Sequence, residues 1–178
     1  GEGHDYIACD ISQPDTWQPE LERRHCESPY SILVLNSGGP KGGPISQAQP
    51  EEFLSAMQNH LVANSIMVRL FLDSMKENRF GRIVTVTSTS VKIPIPHLGV
   101  SNTARAAVAS WGKTISLELA PFGITVNNVM PGFTNTPRLE SLIRAKADSL
   151  KQDYADVVKV WKDMVPMKRF ADPEETAA

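Results

Sequence analysis

Cysteine is scarce: the chain of 178 residues holds two, Cys9 and Cys26. They match no metal-ligand spacing and make a poor disulfide framework, so no metal site and no stapled secreted scaffold is expected. Cys9 lies in an apolar run and reads as a small buried hydrophobe. Long apolar runs are missing as well. None approaches the ~20 residues that span a bilayer, and no signal-peptide pattern is present. Nor is one sign of charge in excess, since 18 Lys and Arg face 20 Asp and Glu for a net −2. A balance of that kind gives no global pull toward nucleic acid or an anionic membrane. There is no internal repeat and no low-complexity tract. What remains is 41% hydrophobic and 21% charged, an ordinary core-forming composition. A cytoplasmic domain with a small-molecule partner is the expectation.

The chain alternates between two kinds of pattern. Short apolar runs at Tyr6–Cys9, Ser31–Leu35, Arg82–Thr87 and Ile124–Val129 read as four strands, the second halted by Asn36-Ser-Gly-Gly-Pro40 and the fourth by Pro131-Gly132. Helical spacing fills the intervals, over residues 11–24, 50–78 and 101–119. A charged, largely helical segment follows from Pro137 to Lys162, and Pro173-Glu-Glu opens a last helix. Strands alternating with helices imply an α/β fold, a parallel sheet wrapped on both sides in three layers. Right-handed crossovers put every strand-to-helix loop on one edge, where ligands bind.

Four landmarks, in order, resemble the short-chain dehydrogenase/reductase family. Leu35-Asn36-Ser37-Gly38-Gly39 is similar to its Asn-Asn-Ala-Gly turn, and Gly81-Arg-Ile-Val-Thr-Val-Thr-Ser88 to the strand that delivers its active-site serine. Ser101-Asn-Thr-Ala-Arg105 stands where the family has Tyr-x-x-x-Lys. Val126-Asn-Asn-Val-Met-Pro131-Gly132, followed by Thr134 and Thr136, resembles its Asn-x-x-x-Pro-Gly cofactor segment. Cys9-Asp10-Ile11 is similar to the Asp-Val pair beside adenine. The resemblance implies a Rossmann-like doubly wound sheet, NAD or NADP as cofactor, and a carbonyl or alcohol substrate such as a 3-oxoacyl thioester. On that basis Asp10, Ile11, Asn36, Ser37, Gly38, Arg105, Pro131, Gly132, Thr134 and Thr136 are the expected cofactor-binding residues. The family also pairs the Ser101 helix and the long helix before it with a second subunit, which implies a homodimer or homotetramer.

The departures are informative. No glycine-rich turn follows a first strand, and Gly1-Glu-Gly-His4 is not one because no strand precedes it. Residues 1–178 are therefore expected to form a single partial dinucleotide-binding domain, lacking the first βαβ portion and the last strand and binding cofactor weakly alone. Ser88 and Ser101 keep the family's serine-to-tyrosine spacing, so Ser88 can still polarise a carbonyl through its O–H. Ser101 is a far weaker acid than a phenol of pKa ~10. Loss of a general acid costs about 10²–10⁴-fold in rate. Arg105 stays protonated and can clamp a ribose, carboxylate or phosphate but cannot pass protons. Ser-x-x-x-Arg at these positions is similar to the pattern of a divergent branch of the family.

Two histidines are candidate acids: His97, in the loop between Ser88 and Ser101, and His60, at the family's asparagine position. A solvated loop residue and a helix histidine bonded to backbone are their plain alternatives. Lys41, Lys92, Arg105 and Arg138 each follow a different strand, so they are expected near one rim that draws an anionic ligand, or to be ordinary surface charge. Two function classes stand: an NAD(P)-dependent oxidoreductase with an atypical active site, or a catalytically impaired nucleotide-binding or regulatory homologue.

Overall fold

A computed structural model describes residues 5–178 and reveals two compact units, one ending at Val129 and the other spanning Met130–Ala178. Gly1-Glu-Gly-His4 lies outside the described residues.

The first unit is α/β. Its order is α1 (Pro14–Glu27), β1 (Ile32–Leu35), α2 (Pro50–Met57), a π-helical turn (Gln58–Val62), α3 (Ala63–Glu77), β2 (Gly81–Val86), α4 (Gly99–Leu119) and β3 (Ile124–Val129). The strands form one parallel sheet in the order β1-β2-β3, with Leu33 beside Ile83 and Ile83 beside Val126. Parallel neighbours need helical crossovers, supplied here by α2–α3 and by α4.

At the start of α2 the sequence supplies partners for free N–H groups. Pro50 sits at the first position of α2, behind a capping box in which the Gln49 N–H donates to Glu52 Oε2 at 2.8 Å. Asp10 Oδ1 accepts from the Ser12 N–H at 2.9 Å ahead of α1. Between α4 and β3 the chain reverses at Gly123 with φ +74°. There a Cβ would lie 2.5 Å from the Arg79 carbonyl oxygen, so glycine is required.

Leu33, Leu35, Ile83 and Ile124 point to one face of the sheet and pack with Val68, Phe71 and Met75 of α3 and Leu119 of α4. Leu21 of α1 and Trp111 and Ile115 of α4 close this core. The alternate residues Ile32 and Val34 on the other face of β1 are 61% and 66% exposed. Within the core, the fully buried Thr85 donates its hydroxyl to Asn128 Oδ1 across the β2–β3 pair. Thr85→Val keeps the shape but strands that oxygen, and chemical denaturation should show a loss of about 1–2 kcal/mol.

Two readings are corrected here. Tyr6–Cys9 is not a strand, so the described sheet has three strands rather than four. An apolar run becomes a strand only with a ladder partner, and none lies beside this one among the described residues. Without that partner Cys9 is exposed, not buried.

The second unit holds α5 (Pro137–Leu150), α6 (Tyr154–Met164) and α7 (Pro173–Ala177). The segment expected as one largely helical stretch is broken at Lys151, which takes the left-handed conformation (φ 52°) and ends α5. Leu139, Ile143, Ala147 and Val157 form a small core with Phe133, Trp161 and Phe170 packed against it.

Candidate active site

The carboxyl ends of β1 and β2 bring together Ser37, His60, Ser88 and Arg105. β2 ends at Val86, and Ser88 begins the tight turn Thr89–Val91, its Oγ accepting the Ser90 N–H at 3.1 Å. That bond uses a lone pair of Ser88 and leaves its O–H to donate elsewhere. Ser101 and Arg105 lie four residues apart on the first turns of α4, hence on one face.

Arg105 does not point outward. Its Nη1 donates to the Val86 carbonyl at 2.6 Å and its Nη2 to the Ser37 carbonyl at 3.2 Å. The guanidinium thus ties the end of β2 to the turn after β1. Ser37 also shares a short hydrogen bond through Oγ with His60 Nδ1.

His60 sits in the π-helical turn and is 2% exposed. Burial first, and the Arg105 charge second, push its imidazole down to about 4. At neutral pH it is therefore an uncharged hydrogen-bond partner of Ser37, not an imidazolium acid. His97 is exposed in the loop before α4, with φ 62°. Its carbonyl accepts the Gly43 N–H at 2.7 Å, which pins the loop. Glycine there should leave stability within about 0.5 kcal/mol, because relieved backbone strain offsets added unfolded-state freedom. A β-branched residue should lose about 1–2 kcal/mol in the same denaturation assay; equal stability of His97→Gly and His97→Val would refute the strain.

The other expected cofactor residues divide between the two units. In the first, Asp10 and Asn36 are exposed, while Ile11 is half-buried and its carbonyl accepts the Trp17 indole N–H at 3.4 Å. Gly38 borders open space, where a Cβ would meet nothing within 4 Å. In the second, Gly132 also borders open space, Thr134 Oγ1 lies 3.3 Å from Thr176 Oγ1, and Thr136 Oγ1 caps α5 by accepting the Leu139 N–H at 3.3 Å. Pro131 is half-buried. Of the four cations expected at a rim, Lys41 and Lys92 are exposed in the first unit, Arg105 is turned inward, and Arg138 starts α5 in the second.

This sheet edge, with Ser88 at its lip, is where the family resemblance can be checked. The sequence profile of the short chain dehydrogenase family matches residues 2–147. The chain belongs to this family. A Streptomyces coelicolor protein assigned as a ketoacyl reductase is 31% identical over 159 residues, covering 84% of this chain and 58% of that one. The NADPH-dependent reductase BacG of Bacillus subtilis is 30% identical over 149 residues, covering 83% and 57%. The chain thus spans little more than half the length of these relatives. Among solved structures, YwfH, an NADPH dependent reductase involved in bacilysin biosynthesis, superposes with a TM-score of 0.87 at 26% identity, covering 96% of this chain and 66% of that one. The L-sorbose reductase of Gluconobacter frateurii, solved with NADPH and L-sorbose, gives 0.84 at 25%, with 96% and 66% covered.

The short-chain dehydrogenase fold accounts for the parallel sheet and for the serine at the end of β2. Sequence reasoning missed two local features of this site. One is the inward tie of Arg105, whose carbonyl partners leave no mark in a sequence. The other is the hydrogen bond of Ser37 with His60, since the sequence marks Ser37 as a cofactor-binding turn residue and not as a partner of that histidine. Among the described residues no three His, Cys, Asp or Glu gather as a metal site, and no helix is long and apolar enough to cross a membrane.

Proposed function

We propose that this chain is the catalytic-face portion of an NADPH-dependent reductase acting on a neutral carbonyl substrate, of the 3-oxoacyl-thioester or sugar-ketone kind. The observation that carries this is Ser88, held at the end of β2 with its lone pair occupied by the Ser90 N–H and its O–H left to donate. The residues fit a nicotinamide cofactor in part. Gly38 and Gly132 each border open space that a Cβ would fill, which suits close approach of a dinucleotide to backbone. No glycine-rich turn at a helix start follows a strand among the described residues, so pyrophosphate binding would rest on residues elsewhere. When bound, the cofactor supplies hydride to the carbonyl carbon. Within the first unit, Asn36, Ser37 and Gly38 would hold its ribose from the turn after β1, and Asp10 and Ile11 would face its adenine.

In this reading Ser88 donates a hydrogen bond to the substrate oxygen and stabilises the charge that develops there. Ser101 or His97 hands on the proton that the oxygen then takes, since His60 is neutral and Arg105 keeps its proton. Arg105 and His60 are positioning residues that fix Ser37 and the end of β2. Ser and Arg in place of the family's Tyr and Lys support membership of a divergent branch, and residues 1–178 are read as one dinucleotide-binding domain. The names of NADPH-dependent relatives favour NADPH over NADH. The exposed Leu117 of α4, at 68%, suits pairing with a second copy.

The test uses this chain and the longest polypeptide that carries it. NADPH fluorescence titration is followed by absorbance at the nicotinamide band with a panel of 3-oxoacyl thioesters, ketoses and simple ketones. Oxidation of NADPH by at least one ketone, abolished in Ser88→Ala, is expected. Saturable NADPH binding without turnover would instead support an impaired nucleotide-binding protein, and absence of both would overturn the reductase reading.

A further inference from the structure

The small helical unit after Val129 carries a cleft of about 280 Å³, lined by Asn135, Tyr154, Val158, Lys162, Arg169 and Phe170. All of its walls belong to that unit. Tyr154, Val158 and Lys162 recur at every fourth position of α6, so they share one face of the helix and reach the cleft with their side chains. Val157 and Trp161, on a neighbouring face, serve the core of the unit instead. Asn135 and Phe170 come from two segments joined in parallel. Thr134 and Ala171 form a bridge, in which the Asn135 N–H donates to the Ala171 carbonyl at 2.7 Å and the Ala171 N–H to the Phe133 carbonyl at 2.9 Å. Side chains alternate along an extended segment, so Asn135 leaves on the other side from Thr134 and Thr136, the neighbours expected to meet a cofactor. The cleft is not on that side.

Two cations line the cleft and no carboxylate does. Lys162 is half-buried, takes part in no ion pair among the described residues, and holds Nζ 5.5 Å from the centroid of the Phe170 ring. Its ammonium has given up part of its hydration for a ring and not for a counter-charge. Arg169 is fixed differently. Its Nη1 donates to Glu175 Oε2 at 2.7 Å and to the Phe170 carbonyl at 3.1 Å, and its Nη2 to Glu175 Oε1 at 2.7 Å. Glu175 is itself held, because Oε2 also accepts the Asp172 N–H at 2.8 Å in the capping box of α7. That carboxylate occupies the end of the guanidinium fork. The Nε–H and the outer Nη2–H remain, parallel along one side of the plane, the arrangement that takes an oxyanion through two hydrogen bonds.

We propose that this cleft binds the oxyanion of a small molecule, a carboxylate or a phosphate monoester, between Lys162 and the unspent side of the Arg169 guanidinium. The Tyr154 hydroxyl and the Asn135 amide supply further donors. Glu175 offsets the Arg169 charge, so the uncompensated charge is that of Lys162, and a neutral ligand has nothing to answer it. Val158 and Phe170 offer apolar contact to the first carbons of the ligand. A volume of this size suits a small organic anion rather than a macromolecule. The site goes beyond the proposed reduction and does not depend on it.

The test is titration of the ¹⁵N-labelled chain by butyrate, butyl phosphate and butyramide, at pH 7.0 and constant ionic strength with no nucleotide present. The Arg169 Nε–H and the Phe170 and Ala171 backbone amides are followed. Saturable shifts with at least one of the two anions are expected. Butyramide has the shape of butyrate without its charge and should bind about tenfold more weakly than the tighter anion. Which anion is tighter tells a carboxylate ligand from a phosphorylated one. In Lys162→Gln the affinity for that anion should fall about tenfold. In Lys159→Gln, which removes an exposed lysine of the same helix outside the cleft, it should stay within about twofold. Equal binding of butyramide, a loss in Lys162→Gln no larger than in Lys159→Gln, or no saturable shift with either anion would overturn the site. Because no cofactor or ketone is involved, none of these outcomes bears on the reductase reading.

Discussion

Arg105→Met should unfold about 3 kcal/mol more easily than the parent chain, in a denaturant titration at pH 7.5. The two carbonyls that Arg105 serves, Val86 at 2.6 Å and Ser37 at 3.2 Å, belong to different strands' ends and have a charged donor each. Hydrogen bonds to a charged group contribute about 1.5–3 kcal/mol apiece, and removing the donor also leaves the acceptors without a partner. Arg105→Lys separates the two parts of the effect. An ammonium carries the same charge but lacks the planar fork that reaches both oxygens, so it should recover about half of the loss. A second readout is independent of stability. The Arg105 charge is one of two causes holding the His60 imidazole down, so in Arg105→Met the His60 ring should titrate higher than in the parent, and in Arg105→Lys close to the parent. Stability of Arg105→Met within about 0.5 kcal/mol of the parent would remove the staple from the account.

Much of the fold could be read beforehand because burial leaves a mark on residue type. β1, β2 and β3 are continuous apolar or β-branched runs, and their stops at Asn36, Thr87 and Met130 agree with the loops that follow. Tyr6–Cys9 shows the limit of that logic. It has the same composition as a buried strand, but composition reports a preference for burial, not the presence of a ladder partner. Counting puts Ser88 and Ser101 at the family's serine-to-tyrosine separation, and counting back from Gly81 puts His60 at its asparagine position. What counting could not supply was the state of these groups. Arg105 is expected to meet a ligand because guanidinium forks suit anions and ribose, and counting does not reveal that it also donates to the Val86 and Ser37 carbonyls.

The stability of the chain should also depend on pH in a window set by His60. In the folded chain this imidazole titrates at about 4, against about 6.5 for an exposed histidine. Above that higher value both states hold a neutral ring, and the contribution of His60 is at its full size. As the pH falls between the two values the unfolded chain takes up a proton that the folded chain refuses, so unfolding becomes progressively easier, and below about 4 no further loss comes from this group. A depression of this size corresponds to about 3 kcal/mol over the window, or about 1.4 kcal/mol for each step of one pH unit. The carboxylates held low by arginine partners, Glu20 beside Arg23 and Arg24 and Glu175 beside Arg169, lose their contribution only below the ordinary carboxylate range. Their window therefore starts where that of His60 is ending. His60→Gln keeps an acceptor for Ser37 and cannot titrate, so the difference between parent and variant isolates the ring. Urea midpoints at pH 7.5, 6.5, 5.5 and 4.5 should converge toward the acid end, the parent losing stability faster. Parallel curves for the two proteins would show that His60 is protonated alike in the folded and unfolded chain, and with it would fall the neutral partner of Ser37 on which the positioning role rests.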